Sequence, residues 1–255
     1  MTLELNGLRG LIVGVANEHS IAWGCAQACH AAGARLALSW LNDKARPFVA
    51  PLADRVQAEI AMPLDVEQPG QLEALFDTLR SRWGGLDFLV HSIAFAPRED
   101  LQGRVLDCSA AGFARAMDVS CHSFLRMARL AEPLMSEGGS LVTMSYLGAD
   151  EVVGNYGMMG PVKAALESSV RYLAAELGPR NINVNAISPG PVATRAASGL
   201  PHFDQLLASA QERAPLQRLV QLDEVGALCR FLVSPTGRAV TGHVIYADAG
   251  LHILA

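Results

Sequence analysis

Seven short runs that are apolar at almost every position, "RGLIVGVA", "ARLALSW", "AEIAMPL", "LDFLVHSI", "GSLVTMS", "INVNAIS" and "HVIYADA", are spread along the 255 residues of the chain. A strand buried on one face alternates apolar and polar positions, whereas a strand covered on both faces has no polar side to show, so such runs suit a parallel sheet. Between them, segments such as "SIAWGCAQACHAAGA", "PGQLEALFDTLRSRWG" and "VKAALESSVRYLAAELG" place apolar residues at helical spacing and end near glycine. This alternation predicts an α/β fold, a Rossmann-type doubly wound parallel sheet of about seven strands flanked by helices. No linker, repeat or low-complexity tract interrupts the pattern, so one domain over 1–255 is expected. The irregular stretches 96–111 and 189–202 read as loops beside a site.

Charge and cysteine usage narrow the function classes. With a net charge of -5 and no basic run, the chain has no electrostatic footprint for nucleic acid. The opening "MTLELNGLRGLIVGVAN" lacks a basic region followed by a long apolar segment, so no membrane association is expected and a cytoplasmic location is the default. Five cysteines are an odd number without ligand-like clustering, which argues against disulfides and a metal site. Cys25 and Cys29, four apart in an apolar helical segment, read as core residues.

The first strand-to-helix turn, "GLIVGVANEHSIAWG", puts Gly14 at the strand end and Ser20, Ile21 and Gly24 at or just inside the next helix. A glycine there lets the backbone approach a pyrophosphate, and the helix N-terminus offers unpaired N–H groups with a partial positive charge. The spacing departs from G-x-G-x-x-G, so a plain tight turn competes with a cofactor site, and Ser20 fits either an N-cap or a phosphate ligand. In "ALSWLND", Leu41 stands at the second strand end, where an acidic residue would bind a ribose of NAD. Lys44 and Arg46 follow, within reach of a 2′-phosphate or simply solvated. The expected cofactor is NADH rather than NADPH.

After the fifth strand, "SYLGADEVVGNYGMMGPVKAALE" carries Tyr146, Tyr156 and Lys163. A helix starting near Met158 leaves Pro161 in the first turn, where its missing N–H removes no intrahelical bond. Seven positions at ~100° each bring Tyr156 and Lys163 to within about 20° of one face, roughly two turns apart. Taken singly, a tyrosine is packing and a lysine a solvated charge; placed together downstream of a nucleotide-type turn, they point to chemistry. An ammonium near a phenol favours the phenolate and strengthens the hydroxyl as an acid, which suits a reaction that builds negative charge on a substrate carbonyl oxygen.

At these residues the sequence resembles the short-chain dehydrogenase/reductase superfamily and, within it, the enoyl-acyl-carrier-protein reductases of bacterial fatty-acid synthesis. The resemblance spans almost the whole chain through "GVANEHSIAWG", "PLDV", "HSIAFAP", "SYLGA", "NYGMMGPVK" and "NVNAISPGPVATRAASG". Ordinary members of the superfamily place lysine four after tyrosine and serine thirteen before it; here the interval is seven, the enoyl-reductase spacing, and Thr143 holds the upstream position. The resemblance implies that Gly14, Ser20 and Ile21 hold cofactor phosphates and ribose, that Asp65 and Val66 contact adenine, with Leu41 nearby, and that Ile93 lies beside a ribose. It further implies that Lys163 binds the nicotinamide ribose and that Val192 and Thr194 hold the carboxamide and pyrophosphate. Ala96 would offer its backbone to the acyl substrate, Tyr156 would hydrogen-bond the thioester carbonyl, and Tyr146 is the second family tyrosine.

The implied reaction is NADH-dependent reduction of the trans-2 double bond of an enoyl thioester on acyl carrier protein, by a cytoplasmic homotetramer with a substrate loop near 190–210. Two departures stand out. "LPHFDQLL" has Pro201, His202, Asp204 and Gln205 where members using an acidic carrier have basic residues, and Leu41 replaces a polar residue. A reductase of a carbonyl or enone on a free small molecule or coenzyme A ester, and a nucleotide-binding protein without turnover, are the alternatives.

Overall fold

The computed structural model describes residues 4–192 and 203–254. Its strands are β1 (Arg9–Val13), β2 (Arg35–Trp40), β3 (Ile60–Pro63), β4 (Phe88–His91), β5 (Gly139–Met144), β6 (Ile182–Pro189) and β7 (Val244–Ala247). They form one seven-stranded sheet in the order β3-β2-β1-β4-β5-β6-β7, every pairing parallel, as the unalternating apolar runs predict. The chain winds outward from β1 in both directions, so the crevice between β1 and β4 is the point where the winding reverses and where ligands settle in such sheets.

Alternate residues of each strand feed two cores. Leu11, Val13, Leu89 and Leu141 pack under α3 (Gln71–Trp83), α6 (Ser123–Ala131) and α7 (Met159–Leu177). Ile12, Leu38, Val90 and Val142 face the opposite layer, built from α1 (Ile21–Ala31), α2 (Arg46–Arg55) and α9 (Leu222–Val233). Both faces are covered, which is why neither reads as polar in the sequence. Cys25, Cys29 and Cys229 are buried in the second layer, and all five cysteines are free thiols. Helices α1 and α9 approach through glycine: a Cβ on Gly24 would lie 2.5 Å from the Leu222 carbonyl oxygen, and one on Gly226 would lie 2.4 Å from that of Gly24.

The loops at the carboxyl edge contain α4 (Arg98–Leu101) and, after it, α5 (Ala110–Met117), which runs through a π turn at Asp118–His122 into α6. Helix α8 (Phe203–Arg213) comes after β6 and before α9 in the chain. Helix α7 begins one residue later than the spacing suggests and keeps Pro161 in its first turn. Among the described residues, no helix is long and apolar enough to cross a membrane, and no cluster of His, Cys, Asp and Glu has the arrangement of a metal site.

Candidate active site

A cleft of about 1130 Å³, its open mouth included, lies over the β1–β4 crevice. Gly14, Ser20, Ile21, Ile93, Ala96, Tyr146, Tyr156, Lys163 and Val192 all line it. Its floor depends on Gly14, whose φ of +99° is unfavourable for other residues and whose Cβ would lie 2.0 Å from the Ser92 carbonyl oxygen. Ser20 is the N-cap residue of α1 by backbone conformation, yet its side chain caps no helix N–H. Its hydroxyl instead donates to the Asn17 carbonyl at 2.6 Å and accepts from the Ala16 N–H at 3.4 Å, which holds the turn in shape. The first amides of α1 are therefore left to an anion, and the residues present fit a dinucleotide pyrophosphate.

Three expected contacts lie elsewhere. Leu41 is exposed beyond β2, while Asp65 and Val66 follow β3 on the neighbouring edge, Val66 buried in the core. None of the three lines the cleft itself. Asp65 is braced by Gln71, whose side-chain oxygen accepts its N–H at 2.8 Å. Lys44 and Arg46 are exposed. Thr194 lies outside the described residues.

The tyrosines and the lysine converge by a route that helical periodicity does not describe. Tyr156 precedes α7, in a turn where Asn155 and Gly157 have φ of 63° and 57°. This left-handed turn, rather than a shared helix face, aims the Tyr156 ring at that of Tyr146, with centroids 4.7 Å apart and planes tilted by 55°. Lys163, 4% exposed, rises from the first turns of α7 and donates to the Met144 carbonyl at 2.6 Å.

Electrostatics also departs from the expected pairing of lysine with an acidified phenol. Burial, then Tyr146 and Glu167, push the Tyr156 hydroxyl well above its ordinary value, and burial raises Tyr146 to about 12. Burial outweighs the fields of Cys121 and Glu167 and lowers Lys163 to about 8. The cleft thus holds a neutral phenol suited to donating a hydrogen bond and an ammonium that loses its proton readily.

A profile of the enoyl-(acyl carrier protein) reductase family matches residues 14–252. The chain belongs to this family. It is 47% identical over 248 residues to the NADH-named enoyl-acyl-carrier-protein reductase 1 of Rhizobium meliloti (strain 1021), covering 97% of this chain and 91% of that one. The reductase of Anaplasma phagocytophilum, solved in complex with NAD, superposes with a TM-score of 0.96 at 43% identity, covering 100% of this chain and 97% of that one. The Bacillus cereus reductase, solved with NADP+ and indole naphthyridinone, gives the same score and identity over the full length of both chains. This reductase is an enzyme of fatty-acid synthesis, and the activity expected from its motifs is that of its family.

Behind the cleft the reductase places a set of buried polar side chains that no sequence motif marks. His91, fully buried at the end of β4, meets Thr143 Oγ1 at 2.9 Å through Nδ1 and Ser123 Oγ at 2.8 Å through Nε2. Ser123 donates its own proton to the Val119 carbonyl at 2.7 Å, so it accepts from Nε2–H, and Nδ1 accepts from Thr143. Thr143 therefore serves the histidine, not the cleft. Ser120, in the π turn, accepts from the Phe95 N–H at 2.8 Å and donates to its carbonyl at 2.9 Å, fixing the backbone that leads into Ala96. In the sequence both serines are ordinary small polar residues of "DVSCHSFLRMARLA", and only their burial sets them apart.

Burial, reinforced by the charge of Lys163, lowers His91 to about 3. The unfolded chain takes up a proton near pH 6.5 and the folded one does not, so stability falls as pH drops below 6.5. At pH 5 this group alone removes about 2 kcal/mol. Urea unfolding at pH 7 and pH 5 is expected to show a difference that shrinks by about that amount in His91→Gln, which cannot titrate. An equal difference in both proteins would contradict the assignment.

Proposed function

We propose that the chain reduces the trans-2 double bond of an enoyl thioester on acyl carrier protein with NADH as the reductant, working as a cytoplasmic homotetramer built from one dinucleotide-binding domain. The observation that carries this reading is the meeting of Tyr146, Tyr156 and Lys163 in one cleft beside the uncapped first turn of α1. When bound, the dinucleotide supplies hydride to the β-carbon. Gly14, Ser20, Ile21, Ile93 and Val192 would hold it from the cleft, Thr194 would serve the pyrophosphate, and Leu41, Asp65 and Val66 would serve the adenine. Lys163 binds the nicotinamide ribose and Ala96 presents its backbone to the acyl group. Tyr156 donates its hydrogen bond to the thioester carbonyl, where negative charge develops, and steadies the enolate until its α-carbon is protonated. Tyr146 packs against Tyr156 and keeps its ring in place.

Five free thiols suit a reducing compartment. Tyr172, 71% exposed on α7, supplies apolar surface suited to subunit contact. A preference for NADH rests on Lys44 and Arg46 standing in solvent; initial rates are expected to be higher with NADH than with NADPH, and the reverse order would assign those two residues to a 2′-phosphate. A coenzyme A ester is the second reading, favoured by the acidic net charge and by Asp204 and Gln205 on α8. Following NADH loss on crotonyl-coenzyme A and on the carrier-linked crotonyl thioester decides between them. No oxidation with either substrate would remove the proposal.

A further inference from the structure

We propose that Glu167 is a positioning residue for the reductase reaction, acting through Ser145 to hold the turn that carries Tyr146. Glu167 lies one helical turn beyond Lys163 on α7 and is 9% exposed, an unusual depth for a carboxyl group. Ser145 donates its hydroxyl proton to Glu167 Oε1 at 2.5 Å. Lys163 meanwhile donates to the carbonyl of Met144, the residue before Ser145. Two side chains of α7, four positions apart, thus grip two consecutive residues at the end of β5, and the next residue is Tyr146. With the strand end fixed at both points, the Tyr146 ring has a defined place against Tyr156.

The same carboxylate is part of the local field. Lys163 and Arg171 on α7, Asp150 after β5, Tyr156 in the left-handed turn and Tyr246 on β7 all interact with it, and Cys121 in the π turn also faces Lys163. A negative charge at Glu167 favours the protonated forms of Lys163 and Tyr156, keeping the ammonium and the neutral phenol together. Buried groups that neither touch a substrate nor leave a cavity are retained at a cost, and here the return is orientation and charge at the two groups that do the work.

This inference rests on the function proposed above, and its test has one arm that does not. In Glu167→Ala, kcat is expected to fall by about 10-fold, whereas Glu167→Gln, which keeps an oxygen to accept from Ser145, retains most of it. Ser145→Ala is expected to match Glu167→Ala, and the double variant to be no worse than either single one. Independently of turnover, the stability difference between the protein and its Lys163→Met variant, followed against pH by urea unfolding, isolates the titration of Lys163 from those of the buried thiols and phenols; in the Glu167→Gln background its alkaline rise is expected at lower pH than in the parent background. Additive losses in the double variant, equal activity of the Ala and Gln variants, or an unmoved alkaline rise in Glu167→Gln would each overturn the assignment. If the parent protein reduces no enoyl thioester, the unfolding arm still decides whether Glu167 acts on Lys163.

Discussion

Tyr156→Phe is expected to lower kcat for enoyl-thioester reduction by about 100-fold, with the affinity for NADH almost unchanged. The substitution removes one oxygen and keeps the ring, so the contact with Tyr146 at 4.7 Å survives and the left-handed turn at Asn155 and Gly157 is undisturbed. Burial holds the phenol neutral in the free protein, so the lost group is a hydrogen-bond donor aimed into the cleft and not a stored charge. A donor placed where negative charge develops stabilises the transition state more than the ground state, which assigns the loss to kcat. Steady-state rates of NADH loss, paired with NADH binding measured by its fluorescence, separate the two quantities. Unchanged turnover would transfer the role to Tyr146, whose hydroxyl is the second phenol in the cleft.

The fold was legible because its physical cause leaves a mark in composition: β1, β4 and β5 are buried from both sides, and Leu11 with Ile12, or Leu141 with Val142, feed opposite cores. The cleft was legible as a set of residues but not as a mechanism of assembly. Tyr156 enters the cleft that Lys163 lines by way of a left-handed turn before α7, and positive φ at Asn155 cannot be read from a count of seven. Electrostatics was the least accessible level. The proximity of an ammonium suggested an acidic phenol, whereas desolvation, which depends on depth in the finished structure, dominates at both Tyr156 and Lys163. Glu167 had a signal, four positions after Lys163 on one helix, yet without burial it reads as an ordinary solvated pair.

Lys163→Met is expected to weaken dinucleotide binding by about 10- to 100-fold while making the cofactor-free protein more stable, two effects of opposite sign from one change. Binding falls because a charged donor in the cleft is lost, and the similar length of methionine keeps the space filled. Stability rises because the fold holds this ammonium at a pKa of about 8 instead of 10.5, a penalty of about 3 kcal/mol at neutral pH. Part of that gain is offset, since the Met144 carbonyl loses its donor, at about 1–2 kcal/mol. The sign follows from proton uptake: between pH 8 and 10.5 the unfolded chain binds the proton and the folded one has released it, so the contribution of this lysine to stability rises with pH through this window, against the opposite contributions of the raised thiols Cys121 and Cys229 and the raised phenols Tyr146 and Tyr156. Lys163→Met has no such group and is expected to lack that component of the rise. A lysine serving only to brace β5 would give the opposite result, a variant that is less stable at every pH and binds NADH as before.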